Sequence, residues 1–169
     1  MLFRSTWLPA IYTLQALYLV NHPRDLRPAI TFALLAFGLG SIYLNYAADA
    51  QRKRVRESAG TVQIWGKTPQ LITARYQTAD GCVHENLLLA SGWWGVSRHF
   101  HYLPELAAAL AWTLPCGFQN VLPWFYFVYL TILLAHRSLR DDARCAAKYG
   151  ASWDQYRARV PFRIVPGIF

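Results

Sequence analysis

Arg52 and Arg56 stand four residues apart at the polar end of one apolar run, and Arg137 and Arg140 follow another. Guanidinium groups grip phosphate oxygens bidentately, so two arginine pairs brought to one pocket would suit a dinucleotide phosphate. Arginines that snorkel from the ends of membrane helices give the same pattern, and spacing alone favours that reading. Trp93, Trp94 and Tyr102 offer flat faces on which an adenine or nicotinamide ring could stack, or equally an aromatic belt at a membrane surface. His99 and His101, beside Arg98, have the chemistry of a proton relay. As metal ligands they are poor, because residues two apart point to different faces of a helix and no third ligand stands at a useful spacing. No metal site is expected.

These groups flank apolar stretches that must position them. Helical candidates run over 6–20, 28–48, 103–116 and 121–135. The second is the cleanest, long enough at about 1.5 Å per residue to cross a hydrocarbon core of about 30 Å. Pro115, Gly117 and Pro123 interrupt the passage between the third and fourth, which can be two tilted spans or a tight hairpin. The polar insertion 49–91 opens on the basic run from Asp49 to Arg56, which marks a cytoplasmic end. It continues with strand-like runs on either side of Asp80-Gly81, the pattern of a small β-hairpin. After the fourth helix, Leu139, Ala143, Ala146, Tyr149, Trp153, Tyr156 and Val160 recur at helical spacing, as in a cytoplasmic amphipathic helix over 138–169. Arg137, Asp141, Arg144 or Cys145, and Lys148 then share one stripe of it. The expected fold class is an all-α integral membrane protein with about four membrane helices, the hairpin insertion and that C-terminal helix, all within a single unit over 1–169.

Composition supports this organisation. The 169 residues are 54% hydrophobic, 15% aromatic and 15% charged, too apolar for an ordinary soluble domain and too charged to be membrane span throughout. The net charge of +8 gathers at the ends of apolar runs, which fits juxtamembrane anchoring or a polyanionic ligand. Nucleic acid is not an expected partner, since no soluble basic domain is evident. Cys82, Cys116 and Cys145 are too widely spaced for a disulfide framework or a zinc site. The start of the chain lacks a cleavable-signal pattern, and the first apolar run is expected to be a retained helix. Phe37-Gly38-Leu39-Gly40-Ser41 lacks the third glycine of a nucleotide loop and is expected to be a packing feature.

The run from Tyr12 to Val20, Gly92-Trp93-Trp94-Gly95 with Arg98-His99, Arg140-Asp141, Cys145, Lys148-Tyr149-Gly150, Trp153, Tyr156, Val160-Pro161 with Arg163, and the ending Pro166 to Phe169 stand in a telling order and spacing. Together they resemble the C-terminal part of the sterol reductase family over essentially the whole chain. Ile64-Trp65-Gly66 and the insertion after it look most like the 7-dehydrocholesterol reductase branch. The resemblance implies NADPH as cofactor, a sterol substrate, and reduction of a ring double bond, most closely Δ7, by protonation and then hydride transfer.

By position, the resemblance implies that Arg52, Arg56, Leu89, Trp94, His101, Tyr102, Arg137, Asp141, Cys145, Lys148, Tyr149 and Tyr156 bind the cofactor. Arg52 stands where the family has Lys, His101 where it has Asn, and Asp49 where it has Asn, which puts a negative charge near the expected phosphate. Asp141 is implied first as a cofactor-holding or cation-stabilising group and second as the proton donor, a role for which Tyr18 is an alternative. Family members are longer, so the chain is expected to be a fragment, to recruit a missing N-terminal half, or to form a homo-oligomer in membrane lipid. The membrane would be that of the endoplasmic reticulum in a eukaryote, or the cytoplasmic membrane in a bacterium, to which the Arg and Ala richness points. Two alternatives stay open: a sterol- or nucleotide-binding module without turnover, and a methyltransferase of the isoprenylcysteine carboxyl type. For the latter, Arg98-His99-Phe100-His101-Tyr102 lacks a proline and Asp141-Asp142 replaces a glutamate pair.

Overall fold

The computed structural model describes residues 13–78 and 80–168. It is mostly helical and divides into two compact units, one built from Met1–Tyr43 and Pro104–Leu134, the other from Leu44–Leu103 and Ala135–Phe169. Helix α1 occupies 13–21, so the first seven residues of the helix expected over 6–20 lie outside the described residues. The others are α2 (Pro28–Glu57), α3 (Trp93–Val96), α4 (Tyr102–Thr113, continued by a 3₁₀ turn Leu114–Cys116), α5 (Trp124–Tyr149) and α6 (Ala151–Arg159). Strands β1 (Leu71–Gln77) and β2 (Val83–Leu89) stand between α2 and α3.

Within the first unit, apolar side chains of α2 such as Phe32 and Ile42 are 70% and 59% exposed. Helix α2 is long and apolar enough to cross a membrane, and among the described residues it is the one helix that meets both conditions. The spans expected over 103–116 and 121–135 do not meet them: α4 is only 12 residues long, and the charged C-terminal half of α5 breaks up its apolar run. Gln15 of α1 is fully buried. Its Nε2 donates to Thr113 Oγ1 at 3.5 Å, and its carbonyl accepts the Cys116 thiol at 3.8 Å. At Gly38 a Cβ would stand in ordinary van der Waals contact, 3.5 Å from Ala111 Cβ on α4, and at Gly40 it would meet nothing within 4 Å, so neither glycine of the Phe37–Ser41 run is required by packing among the described residues.

Two helix boundaries differ from the sequence expectation, for one reason. Helix α2 does not stop at residue 48 but carries its rod through the basic run to Glu57, and α5 does not stop at residue 135 but runs to Tyr149. In both places polarity changes while no proline or glycine interrupts, so the backbone ladder continues across the change. The separate amphipathic helix expected over 138–169 is therefore the second half of α5 plus α6. They part at Gly150, whose φ of 51° closes α5 with an N–H to the Ala146 carbonyl at 2.9 Å.

In the second unit, β1 and β2 pair antiparallel from Leu71↔Leu89 to Gln77↔Val83. Alternation sends Ile72 and Ala74 inward, where with Leu88 and Ala90 they meet Trp153, Tyr156 and Val160 around α6. A second cluster joins Val55 of α2, Ile64, Leu89 and Trp94. The hairpin is thus clamped between the end of α2 and the C-terminal helices, and its β2 edge becomes one wall of a cleft.

Candidate functional site

The cleft, about 280 Å³ in volume, lies wholly inside the second unit. Arg52 and Arg56 reach it from α2, Leu89 from β2, Trp94, His101 and Tyr102 from the segment after the hairpin, and Arg137, Asp141, Cys145, Tyr149 and Tyr156 from α5 and α6. Residues some fifty to a hundred positions apart in sequence are therefore gathered by the end of α2, strand β2, the segment after the hairpin, and the C-terminal half of α5 with α6.

Gly92 sets the turn into this segment. Its φ of 64° lies in the left-handed region, and a Cβ there would run into the Gln51 side chain. Gln51 Oε1 instead accepts the Trp93 amide at 2.9 Å, and Trp94 Nε1 donates to the Ala48 carbonyl at 2.8 Å. These two bonds pin the double tryptophan to the polar end of α2. Trp94 is thereby buried with one ring face under Arg52, whose guanidinium carbon sits 4.1 Å from the ring centroid.

The charges of the cleft are unequally occupied. Arg52 pairs with Asp49 at 3.0 Å, so the negative charge noted at Asp49 is met by its own helix. Asp141 is held by Arg144 at 2.8 Å and by Arg137 at 3.7 Å. Arg56 is exposed and has no carboxylate partner among the described residues. The Tyr156 hydroxyl lies 3.5 Å from the Trp94 carbonyl, and burial, only partly countered by Arg98 and Arg52, pushes its pKa up to about 12. It is therefore a fixed donor. Burial likewise raises the Cys145 thiol, against the opposing charge of Arg144, and keeps it protonated at neutral pH.

Lys148 is the one expected site residue that stays out of the cleft lining. Its ammonium sits over the Tyr76 ring at 3.7 Å, a cation–π contact that holds it against β1 near the turn end of the hairpin. Tyr18 belongs to the other unit, where it stacks on His22 at 4.5 Å.

The cleft also takes in Asn86, Arg144 and Trp153, which the sequence does not mark as cofactor-binding, and Arg98 and His99, which it offers only as parts of a proton relay. Asn86 Nδ2 donates to the Tyr149 hydroxyl at 2.9 Å, tying β2 to α5. Behind the cleft, buried Asp142 accepts from Trp153 Nε1 at 3.1 Å and pairs with Arg163 at 3.2 Å and Arg98 at 3.7 Å. Arg98 in turn donates to the Val160 and Pro161 carbonyls at 2.8 and 3.1 Å. The chain 160–163 is thus strapped along the histidine segment, with His99 N–H bonded to the Arg163 carbonyl at 2.8 Å.

A family model described as the ergosterol biosynthesis ERG4/ERG24 family matches residues 1–169. The chain belongs to the ERG4/ERG24 family. It is 46% identical over 163 residues to a 7-dehydrocholesterol reductase of Arabidopsis thaliana, a match covering 96% of this chain and 38% of that protein. The corresponding protein of Xenopus laevis is 46% identical, with 96% and 34% covered. A Delta(14)-sterol reductase of Methylotuvimicrobium alcaliphilum is 45% identical, with 96% and 36% covered. The chain therefore spans little more than a third of the length of these ERG4/ERG24 relatives.

Proposed function

We propose that this chain is the cofactor-binding portion of an NADPH-dependent sterol reductase embedded in a membrane. The observation that carries the reading is the meeting, in one cleft, of Arg56 without a carboxylate partner and the buried Trp94 face under Arg52. An exposed guanidinium beside a second one fixed over an indole suits the phosphate groups of one nucleotide. The remaining residues fit such a group too: Tyr156 is a buried donor, and Leu88 and Leu89 supply an apolar wall. When bound, the reduced nicotinamide would supply a hydride.

The chain's own residues would do the rest. Arg56, with Arg52 and Arg137 near it, binds phosphate, and Arg52 is kept in place by Asp49 and Trp94. Asp141, held by two arginines, is a carboxylate that orients the cofactor or steadies a cation on the substrate. Leu88, Leu89 and the buried tryptophans keep water from the hydride path. Of the ring double bonds open to such a reductase, Δ7 is favoured by the Ile64-Trp65-Gly66 segment and by relatives named 7-dehydrocholesterol reductase. A relative named Delta(14)-sterol reductase makes Δ14 the second substrate to assay.

The test is a tryptophan-fluorescence titration of the purified chain in detergent with NADPH and, separately, S-adenosylmethionine. Saturable quenching by NADPH alone is expected; no saturable response to NADPH overturns the reading. A module that binds nucleotide or sterol without turnover is the second reading. Incubation with NADPH and Δ7 or Δ14 sterols separates the two, since only the first yields reduced sterol.

A further inference from the structure

Each imidazole of the cleft has one nitrogen sealed in protein with no partner among the described residues: Nε2 of His99 and Nδ1 of His101. The sealed atoms are opposite ones, yet both rings line the same cleft. A neutral imidazole carries one N–H and one bare nitrogen. Buried N–H groups are almost never left without an acceptor, while acceptors are left bare more often, so the sealed nitrogen of each ring is the bare one. The proton then sits on the other nitrogen of each ring.

Packing holds both rings in these orientations. His99 stacks on Tyr102 at 5.0 Å with planes 6° apart, and its backbone is bonded to the C-terminal strap. His101 is wedged between Trp94 at 5.2 Å and Tyr102 at 4.3 Å. Neither ring takes a second proton near neutral pH. Burial is the main cause for both, overcoming the opposing carboxylates Asp141 and Asp142 near His99 and Asp49 near His101, and each pKa is pushed down to about 4.

We infer that His99 and His101 are fixed as different neutral tautomers, donating from Nδ1 and Nε2 respectively, and that the two N–H groups together hold the carbonyl oxygen of the nicotinamide carboxamide. The ring centroids are 6.1 Å apart in the lining of one cleft, a span within which one small polar group can approach both rings. Uncharged donors suit an uncharged carbonyl, while the guanidinium groups of the cleft take the anionic end of the same molecule. The carboxamide assignment rests on the NADPH reading above; the tautomers do not.

Two measurements test it at one neutral pH. Side-chain nitrogen NMR of the histidine-labelled chain in detergent, assigned with His99→Gln and His101→Gln, reads the tautomers without any ligand. Nδ1–H in His99 and Nε2–H in His101 are expected, and the opposite tautomer in either ring overturns the inference. The second compares NADPH with adenosine bisphosphate, the adenine end of the cofactor without nicotinamide. His101→Phe should weaken NADPH about tenfold relative to adenosine bisphosphate, the loss of one neutral hydrogen bond, and His101→Asn should restore most of it. An unchanged ratio of the two affinities in His101→Phe overturns the carboxamide assignment. Failure of adenosine bisphosphate to bind the unaltered chain counts instead against the nucleotide reading, and leaves the NMR result to decide the tautomers.

Discussion

The Arg52 guanidinium lies 4.1 Å over the centroid of the Trp94 ring, and the same indole donates to the Ala48 carbonyl, one turn earlier on the helix that carries Arg52. One side chain is thus both a staple and a platform: it fastens the segment after the hairpin to α2 and presents a face to a guanidinium. Trp94→Phe keeps a ring but removes the donor, leaving the Ala48 carbonyl buried without its side-chain partner. A loss of about 1 kcal/mol is expected for the hydrogen bond, seen as a lower unfolding midpoint in detergent. Trp94→Ala should cost considerably more, because the cluster with Val55, Ile64 and Leu89 loses its largest member. Equal midpoints for Trp94→Phe and the unaltered chain would remove the staple role.

Arg56 separates a ligand role from a structural one. It is exposed and makes no ion pair among the described residues, so Arg56→Ala should leave the unfolding midpoint within about 0.5 kcal/mol of its starting value. NADPH affinity should nevertheless fall roughly ten- to a hundredfold, the worth of one charge-assisted bond of about 1.5–3 kcal/mol. NADH, which lacks the ribose phosphate, should change far less if that phosphate is what Arg56 grips. Parallel titrations of both nucleotides measure the difference, and an equal loss for NADH places Arg56 on the diphosphate instead.

The hairpin and the basic end of α2 were legible from the sequence because each has a local mark. Asp80-Gly81 sits between two alternating runs, and an uncharged stretch ends in a cluster of arginines. What was not legible depends on partners distant in sequence. Asp141 and Asp142 look alike as neighbours, yet the roughly 100° step from one helical residue to the next sends Asp141 to the cleft and Asp142 inward to Arg98, Arg163 and Trp153. Lys148 has the spacing of a site residue, but a tyrosine on the facing strand captures it. Likewise the opposite burial of the two histidine nitrogens follows from how Trp94, Tyr102 and the C-terminal strap pack around them, which no spacing rule contains.

Both cleft histidines have folded pKa values of about 4, below the ordinary value of 6.5, with burial the chief cause. In the window between those values the unfolded chain binds more protons than the folded one, so stability rises with pH there. The contribution is fully present above about pH 6.5 and is lost as the pH falls toward 4. Unfolding midpoints of the unaltered chain should therefore drop across that window. His101→Asn, which has nothing to titrate, should show a shallower drop. Identical slopes for the two proteins would mean that His101 takes its proton as easily folded as unfolded.

Asp142 carries the most demanding structural prediction. Its carboxylate is the shared acceptor for Arg98, Arg163 and Trp153, all around the base of the strap 160–163. Asp142→Asn keeps the shape and one acceptor but leaves the buried Arg98 without its counter-charge, and such losses cost about 3–5 kcal/mol. Because the strap is bonded to Arg98 and His99, the first consequence should be local: Arg163 becomes a site of rapid tryptic cleavage while the hairpin stays protected. Removing both charges, in Arg98→Met with Asp142→Leu, should recover part of the stability without recovering the strap, since the bonds from Arg98 to the Val160 and Pro161 carbonyls are lost with it. Limited trypsin digestion followed by mass analysis reads the strap, and thermal unfolding reads the whole. If Asp142→Asn lowers the midpoint but leaves cleavage at Arg163 as slow as before, the carboxylate stabilises the unit without holding the strap.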